Sequence, residues 1–210
     1  MPTEKPAQKP AQRRRRRTPE EARSEALVAA RDLLLEAGPD AVTLSAVAKR
    51  IGVTHANLIH HFGSASGLQG ALMGSMVADL RAALDKAVTR LRTDKSAPLE
   101  LVDAVFDAFG EGGAGRLAAW IVMTGDLSRL DPVRQAVLDL VDAVDEMMGR
   151  DPKLPRDQIK AAVLLIALGA FGDAQIGPPL RGMLDQDETA GRRIIASLLP
   201  AFLEGPHEGL

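Results

Sequence analysis

The segment THANLIHHF, residues 54–62, carries side chains suited to recognising another molecule. In a helix of about 3.6 residues per turn, Leu58, His61 and Phe62 lie on one side. The opposite side presents Asn57, whose amide can pair with the edge of adenine, and His60, which can bond to a base or a phosphate. The small apolar side chains beside them can contact a thymine methyl group. This pattern predicts a short recognition helix, at about residues 55–62, for the major groove of DNA.

The histidines of this segment do not have the spacing of a metal site. His55 and His60 are five residues apart and His60 and His61 are adjacent, whereas two ligands on one helical face are roughly three or four residues apart. The chain has no cysteine, which excludes disulfides, thiol chemistry and cysteine-based zinc sites. It also lacks a nucleophile elbow, a phosphate-cradling glycine loop and a recognisable pair of catalytic carboxylates. We therefore predict no enzyme activity, no metal and no cofactor.

Capping residues and glycines outline three helices that would position this segment. A capping box of Thr18 and Glu21 begins the first helix, which ends before a Gly-Pro pair. The second helix ends at Gly52, and Thr54 can cap the third. Two short helices joined by a tight turn with glycine form a helix-turn-helix. The sequence therefore predicts a three-helix DNA-binding domain over residues 18–64.

Residues 65–205 repeat the helical period, with glycine-containing breaks and no convincing strand pattern. After a long helix from Leu68 to about Arg92, we predict helices at about residues 98–109, 116–125, 132–148, 156–176 and 187–203. The protein is therefore predicted to be all-α, with the three-helix domain joined to a larger helical domain. The chain has no uninterrupted run of about eighteen apolar residues, so we predict no membrane-spanning helix.

The first seventeen residues are rich in proline and polar side chains and end in five arginines, Arg13, Arg14, Arg15, Arg16 and Arg17. They lack the apolar block of a secretory signal. Residues 1–62 hold 11 basic and 7 acidic residues, whereas residues 63–210 hold 15 basic and 21 acidic residues. This asymmetry indicates a polyanionic partner at the N-terminal end only. We predict that residues 1–17 form a flexible basic arm that contacts nucleic acid, the alternative being a solvated tail.

The segment Thr43–Leu68, TLSAVAKRIGVTHANLIHHFGSASGL, closely resembles the DNA-binding region of the TetR family of bacterial transcriptional regulators. The matching or similar positions are Thr43-Leu44, Val47-Ala48, Ile51-Gly52-Val53, Leu58, His61-Phe62, Ser64 and Leu68. The resemblance covers about residues 18–80. It implies a cytoplasmic homodimeric repressor whose recognition helices enter successive major grooves of a palindromic operator. It also implies a small-molecule effector that binds the larger domain and releases the DNA.

The resemblance also implies which residues of the head contact DNA: Ser45, Thr54, His55, Asn57, Ile59, His60 and His61. His61 has the alternative of packing against the core of the domain. Ile59 stands where the family usually has Tyr, and Ala65 stands where it commonly has Lys, so two phosphate contacts are missing. We expect the five arginines of the arm to replace them by lying along phosphates or entering a minor groove.

Two further sites are expected in the larger domain. Phe106, Phe109, Trp120 and Met123 are close enough in sequence to line one ligand cavity, although apolar side chains at helical spacing are usually ordinary core. The small residues of helix 156–176 let another helix approach closely, so we predict that it forms the dimer interface with helix 187–203. The candidate interface residues are Val163, Ala167, Ala170, Phe171, Ala174, Ile195, Leu198, Leu199 and Phe202. The alternative is that both helices pack only within one subunit.

Two other classes of function compete with a DNA-binding regulator. An enzyme acting on a small apolar molecule would need a catalytic motif, and the sequence shows none. A helical small-molecule carrier or sequestering protein without specific DNA binding would use the larger domain alone. That reading leaves the arginine arm and the exposed Asn57 and His60 unexplained, and tight binding to one duplex over competitor separates the two classes.

Overall fold

The computed structural model describes the backbone of residues 18–91, 93–94, 96–149 and 154–203, and side chains in these ranges as far as Leu199. All regular elements within these ranges are helical, so the predicted all-α class is confirmed. The five arginines of the predicted arm, Arg13, Arg14, Arg15, Arg16 and Arg17, lie outside the described residues. We call residues 18–64 the head and residues 65–203 the body.

The head contains α1 (Pro19–Ala37), α2 (Leu44–Ile51) and α3 (His55–Phe62). α1 begins with the expected capping box, in which the Glu21 N–H donates to the Thr18 hydroxyl at 3.1 Å and the Thr18 N–H donates to the Glu21 carboxylate at 2.9 Å. The side chains that hold the three helices together are fully or almost fully buried. They include Ala26, Ala30, Leu34, Val42, Val47, Leu58 and Phe62.

The body contains α4 (Ala65–Val88), α5 (Ala97–Phe109), α6 (Ala114–Thr124), α7 (Asp131–Met147), α8 (Arg156–Met183) and α9 (Ala190–Leu203). A 3₁₀ turn at Leu127–Leu130 joins α6 to α7. α4 belongs to both parts, because Leu68 and Leu72 are buried in the core of the head whereas Leu84 is buried in the core of the body. The two parts therefore share one continuous helix.

The longest helix extends beyond the predicted boundary. α8 was expected to end at Ile176, before a glycine-containing break at residues 177–182, but it continues through Pro178 and Pro179 to Met183. A proline inside a helix removes one backbone hydrogen bond and crowds the preceding turn. The two prolines lie in the last two turns, where few further hydrogen bonds depend on them, and packing against α9 holds the chain in place.

α9 begins three residues later than the sequence indicates, at Ala190. Asp185 does not cap it, because this residue adopts a left-handed conformation with φ of 52°. The Asp187 carboxylate instead accepts from the Thr189 N–H, just before the helix, at 2.8 Å and pairs with Arg193 in the first turn. The Arg193 and Thr189 side chains hold the pKa of the Asp187 carboxyl well below its usual range.

α8 is also long and apolar enough, by length and composition, to cross a membrane, although only 17% of its most apolar stretch is buried. The helix nevertheless contains no uninterrupted run of about eighteen apolar residues, because Asp173 and Gln175 interrupt it. In the structure it packs against α5, α6, α7 and α9. Much of its apolar surface nevertheless stays exposed to solvent.

Candidate nucleic-acid interface

The turn between α2 and α3 is fixed by backbone conformation and by two caps. Gly52 adopts a left-handed conformation with φ of 68°, which L side chains rarely adopt, so this position favours glycine. The Thr43 hydroxyl accepts from the Ala46 N–H at 3.1 Å, and the Thr54 hydroxyl accepts from the Asn57 N–H at 3.2 Å. Both short helices therefore start at defined residues, as a helix-turn-helix requires.

α3 has one buried and one exposed face. Leu58 and Phe62 are buried in the core of the head, which orients the helix. The side chains on the opposite face are exposed to solvent: Thr54, His55, Ala56, Asn57, Ile59 and His60. Ser45, in the first turn of α2, is also exposed. The structure thus brings these candidate DNA-contacting residues to the surface of two adjacent helices.

His61 lies between the two faces and is half-buried. Its ring centroid is 6.3 Å from that of Phe62 and 5.6 Å from that of His60. Its backbone carbonyl accepts a hydrogen bond from the Arg23 guanidinium of α1 at 3.0 Å. His61 therefore sits where its ring contacts the buried Phe62 while part of it remains accessible.

Arg23 is a residue of this site that the sequence analysis missed. Its guanidinium carbon lies 4.8 Å from the centre of the Phe62 ring, in addition to its bond to the His61 carbonyl. These contacts tie the C-terminal end of α3 to α1 and so help to set the direction of the recognition helix. The residues are 38 positions apart in sequence, and no local pattern indicates their contact.

α2 contributes two further cations beside Ser45. Lys49 and Arg50 are both exposed in its last turn. Arg50 forms a salt bridge with Glu36 of α1, which raises the pKa of the arginine and lowers that of the carboxyl. Among the described residues, no group of three or more His, Asp or Glu side chains is arranged to hold a metal ion.

The body encloses a cavity of about 390 Å³ between α4, α5, α6, α7 and α8. Its walls are almost entirely aliphatic, with the rings of Phe109 and Phe171 meeting edge to face at 6.4 Å. The charged residues that border it are Asp85 and the ion pair of Arg81 with Asp139. A cavity of this kind suits a small apolar molecule, because burial of apolar surface favours binding and few polar groups must lose water.

The four residues predicted to line a ligand cavity have different positions. Phe109 lines it. Phe106 is buried beside it in the core formed with α8 and α9. Trp120 instead packs at the junction of head and body, where its indole N–H donates to Asp40 at 2.8 Å, and Met123 is 86% exposed at the end of α6. The orientation of α6 directs the Trp120 and Met123 side chains away from the cavity, so the structure corrects the expectation that these two residues line it.

The predicted dimer residues are also divided by the structure. Ala170 and Leu199 are only 1% and 4% exposed, so they belong to the interior of one subunit. The remaining residues that face inward are Val163, Ala167 and Phe171, which line the cavity, and Ile195, which packs toward Gly169. Ala174 approaches Gly115 of α6, and the Phe202 side chain lies outside the described residues. Leu198 is exposed and so stays a candidate for the dimer interface.

Most of the exposed apolar side chains of α8 and α9 belong to residues that were not predicted for the dimer interface. The exposed side chains are Leu164, Leu168, Ile176, Leu180, Met183, Ile194 and Leu198. α8 is apolar on nearly all sides, so the sequence period does not distinguish the side that packs inside the subunit from the side that faces out. Only the positions of the neighbouring helices decide this.

Comparison with known proteins identifies the head. A profile of the bacterial regulatory proteins of the tetR family matches residues 26–72, which include the helix-turn-helix and the start of α4. The head of this chain is therefore similar to the DNA-binding domain of TetR-family regulators. An HTH-type transcriptional repressor of Mycobacterium tuberculosis is 28% identical over 181 residues, which cover 85% of this chain and 86% of that relative.

Solved structures agree with this assignment at the level of the fold. A TetR-family transcriptional regulator from Pectobacterium atrosepticum superposes with a TM-score of 0.65 at 20% identity, covering 90% of this chain and 97% of that one. The fatty acid degradation regulator FadR from Bacillus halodurans gives a TM-score of 0.63 at 13% identity, covering 88% and 96%. The match of the head and the relative named as a transcriptional repressor support DNA-binding regulation as the function of this chain.

Proposed function

We propose that the protein is a homodimeric repressor that acts in the cytoplasm on a palindromic operator and is released by a small apolar effector. The observation that carries this proposal is the exposed face of α3, which presents an amide and two imidazoles from a helix held rigidly by its buried side and its caps. Residues 18–64 would form the DNA-binding domain and residues 65–205 the effector-binding and dimerisation domain.

In this proposal each exposed side chain of the head has a role in contacting the operator. Asn57 reads a base edge, and Ile59 contacts a thymine methyl group in the major groove. His60 and His61 lie near phosphates, and Ser45 with the start of α3 at Thr54 and His55 contacts the backbone of the duplex. The exposed Lys49 adds a cation on the same surface.

The proposal is tested by fluorescence anisotropy with a labelled duplex from the region upstream of the protein's own gene. We expect binding to this duplex to persist in excess competitor DNA, and binding to a shuffled duplex of equal composition to be lost. Equal affinity for both duplexes would contradict specific regulation. It would favour the second candidate, a small-molecule carrier, which the apolar cavity of the body also supports.

Removal of residues 1–17 tests the proposed role of the basic arm. We expect the truncated protein to bind the operator more weakly and its affinity to depend less on salt, because each lost phosphate contact removes about 0.9 from the slope of log affinity against log salt. The measurement is a salt titration of both proteins by anisotropy. Replacing Arg13–Arg17 by five lysines is the control that keeps the charge, and an unchanged slope after truncation would show that the arm does not contact DNA.

The cavity is tested with N-phenylnaphthylamine, an uncharged apolar fluorophore. We expect it to bind the wild-type protein, to fluoresce more strongly there and to raise the melting temperature, because a ligand that prefers the native state stabilises it. Ala143→Phe places a ring in the cavity wall and should weaken binding by at least about tenfold. Ala82→Phe changes an exposed residue of α4 outside the cavity and should bind as the wild type does. Equal binding by both variants would place the probe elsewhere.

A further inference from the structure

A buried polar contact joins the head to the body. The Gln69 side chain of α4 is 5% exposed, the only polar side chain classed as buried within the described part of the chain. Its amide nitrogen donates to the backbone carbonyl of Val42 at 3.2 Å, just before α2 begins. Its amide oxygen accepts from the Arg129 guanidinium at 3.0 Å. Gln69 thus connects the start of the helix-turn-helix to the 3₁₀ turn between α6 and α7.

Arg129 is held by more than this one contact. Its Nε donates to Asp126 at 2.9 Å, and its guanidinium carbon lies 5.3 Å from the centre of the Trp120 ring. The side chain is only 11% exposed. Gly70 of α4 faces this turn, because a Cβ there would lie at van der Waals distance, 3.9 Å, from the Arg129 Cα. The 3₁₀ turn therefore sits directly against α4.

Trp120 forms a second connection between the same two parts. Its indole N–H donates to the Asp40 carboxylate at 2.8 Å, in the 3₁₀ turn between α1 and α2. Asp40 is two residues before Val42, so both connections end on the segment that leads into α2. Arg129 lies over the Trp120 ring and links the two.

The elements that carry these connections also form the wall of the cavity. Leu130 follows Arg129 and lines the cavity, as do Ala118 and Val122 on either side of Trp120. Met73, one turn after Gln69 on α4, is buried in the core of the head and also lines the cavity. Because these walls are close-packed, a molecule that displaces them must also move Arg129, Trp120 or both.

We propose that Arg129 and Trp120 are positioning residues that couple occupation of the cavity to the placement of the helix-turn-helix. Arg129 acts through Gln69, and Trp120 acts directly on Asp40. This inference rests on the proposed effector cavity and adds the route by which its occupation reaches the DNA-binding surface. The coupling requires only that a ligand bind one arrangement of the cavity walls more tightly than another.

The other polar contacts between head and body are less suited to this role. The salt bridge of Arg31 with Asp79 has side chains 36% and 61% exposed, so water compensates for its loss. Arg116 reaches the Leu35 carbonyl at 3.4 Å from an exposed position. The hydrogen bond of Gln69 to Val42 is buried and has no such compensation, so its geometry is enforced more strictly. The bond of Trp120 ends on an exposed carboxylate, and the packing of the indole ring against Arg129 holds it in place.

Hydrogen exchange with N-phenylnaphthylamine tests the coupling in the full-length protein. In the wild type we expect the probe to raise exchange of the amides of residues 40–46 by about fivefold or more. Arg129→Met keeps the aliphatic stem but removes both hydrogen bonds, so the probe should change the same amides by less than about twofold. The affinity for the probe should remain within about twofold of the wild type, because Arg129 does not line the cavity. If Arg129 had a purely structural role, its replacement would not reduce the exchange response while leaving the affinity for the probe unchanged.

Two further variants keep the result decisive. Trp120→Phe keeps a ring but removes the bond to Asp40, and we expect partial loss of the response even if Arg129→Met folds poorly. Arg156→Met removes an arginine that pairs with Asp142 and Asp145, far from the head, and should respond as the wild type does. An undiminished response in both Arg129→Met and Trp120→Phe, or no response in the wild type with bound probe, would overturn the coupling. A wild type that does not bind the probe would contradict the effector cavity itself and this proposal with it.

Discussion

The double variant Asn57→Ala with His60→Ala is expected to lose operator binding while keeping its fold. Both side chains are exposed, so their removal leaves the core of the head intact. If each contact contributes about 1 kcal/mol, two contacts in each of two subunits lower the affinity by about 4 kcal/mol, roughly a thousandfold. Non-specific binding should change less, because it depends on phosphate contacts and only His60 of the two side chains is proposed to lie near a phosphate. Anisotropy with the operator and with a shuffled duplex measures both effects.

Lys86→Ala is the control for this experiment, since it truncates an exposed side chain at the far end of α4. It should bind the operator as the wild type does. Circular dichroism and melting temperature establish that all variants are folded. Operator affinity unchanged in the double variant would show that the exposed face of α3 does not read DNA, and the proposed repressor would have to be abandoned.

Leu168→Glu is expected to convert the proposed dimer into monomers and thereby to weaken operator binding. Leu168 is 62% exposed on a single subunit, so a carboxylate there is tolerated by the monomer. In a dimer formed by α8 and α9 the same carboxylate would be buried against apolar side chains, which strongly disfavours association. Because two linked heads bind more tightly than one by about a hundredfold or more, operator affinity should fall accordingly. Light scattering after size exclusion gives the oligomeric state.

Met123→Glu is the matched control for this second experiment. It introduces the same charge at an apolar residue that is 86% exposed at the C-terminal end of α6, whereas α6 approaches α8 at Gly115 near its other end. It should remain dimeric and bind the operator normally. If Leu168→Glu and the double variant Leu164→Glu with Leu168→Glu both stay dimeric, the association involves another surface.

Local interactions made the head predictable from sequence. Its capping threonines and Gly52 act within a few residues of their position, and the expected capping box is present in the structure. The exposed face of α3 follows from the spacing of Leu58 and Phe62 alone. The contact of Arg23 with α3 did not follow, because it depends on how α1 packs across 38 residues of sequence.

The body was predictable only as a set of helices. The long apolar helix α8 has no dominant polar side, so its sequence does not say whether Leu168 or Ala170 faces outward. The structure leaves Leu168 exposed and buries Ala170. Trp120 likewise has the composition of a pocket residue, but its helix places it against Asp40.

The sequence by itself therefore determined the all-α class, the helix-turn-helix and the residues presented by its recognition helix. Caps, turns and one-sided amphipathic helices are encoded over short stretches of chain, where the physics is local. Only the tertiary structure decided the walls of the cavity, the exposed stripe of α8 and α9, and the buried junction of Gln69 with Arg129. These depend on the relative rotation of several helices, which is set by packing between residues far apart in the chain.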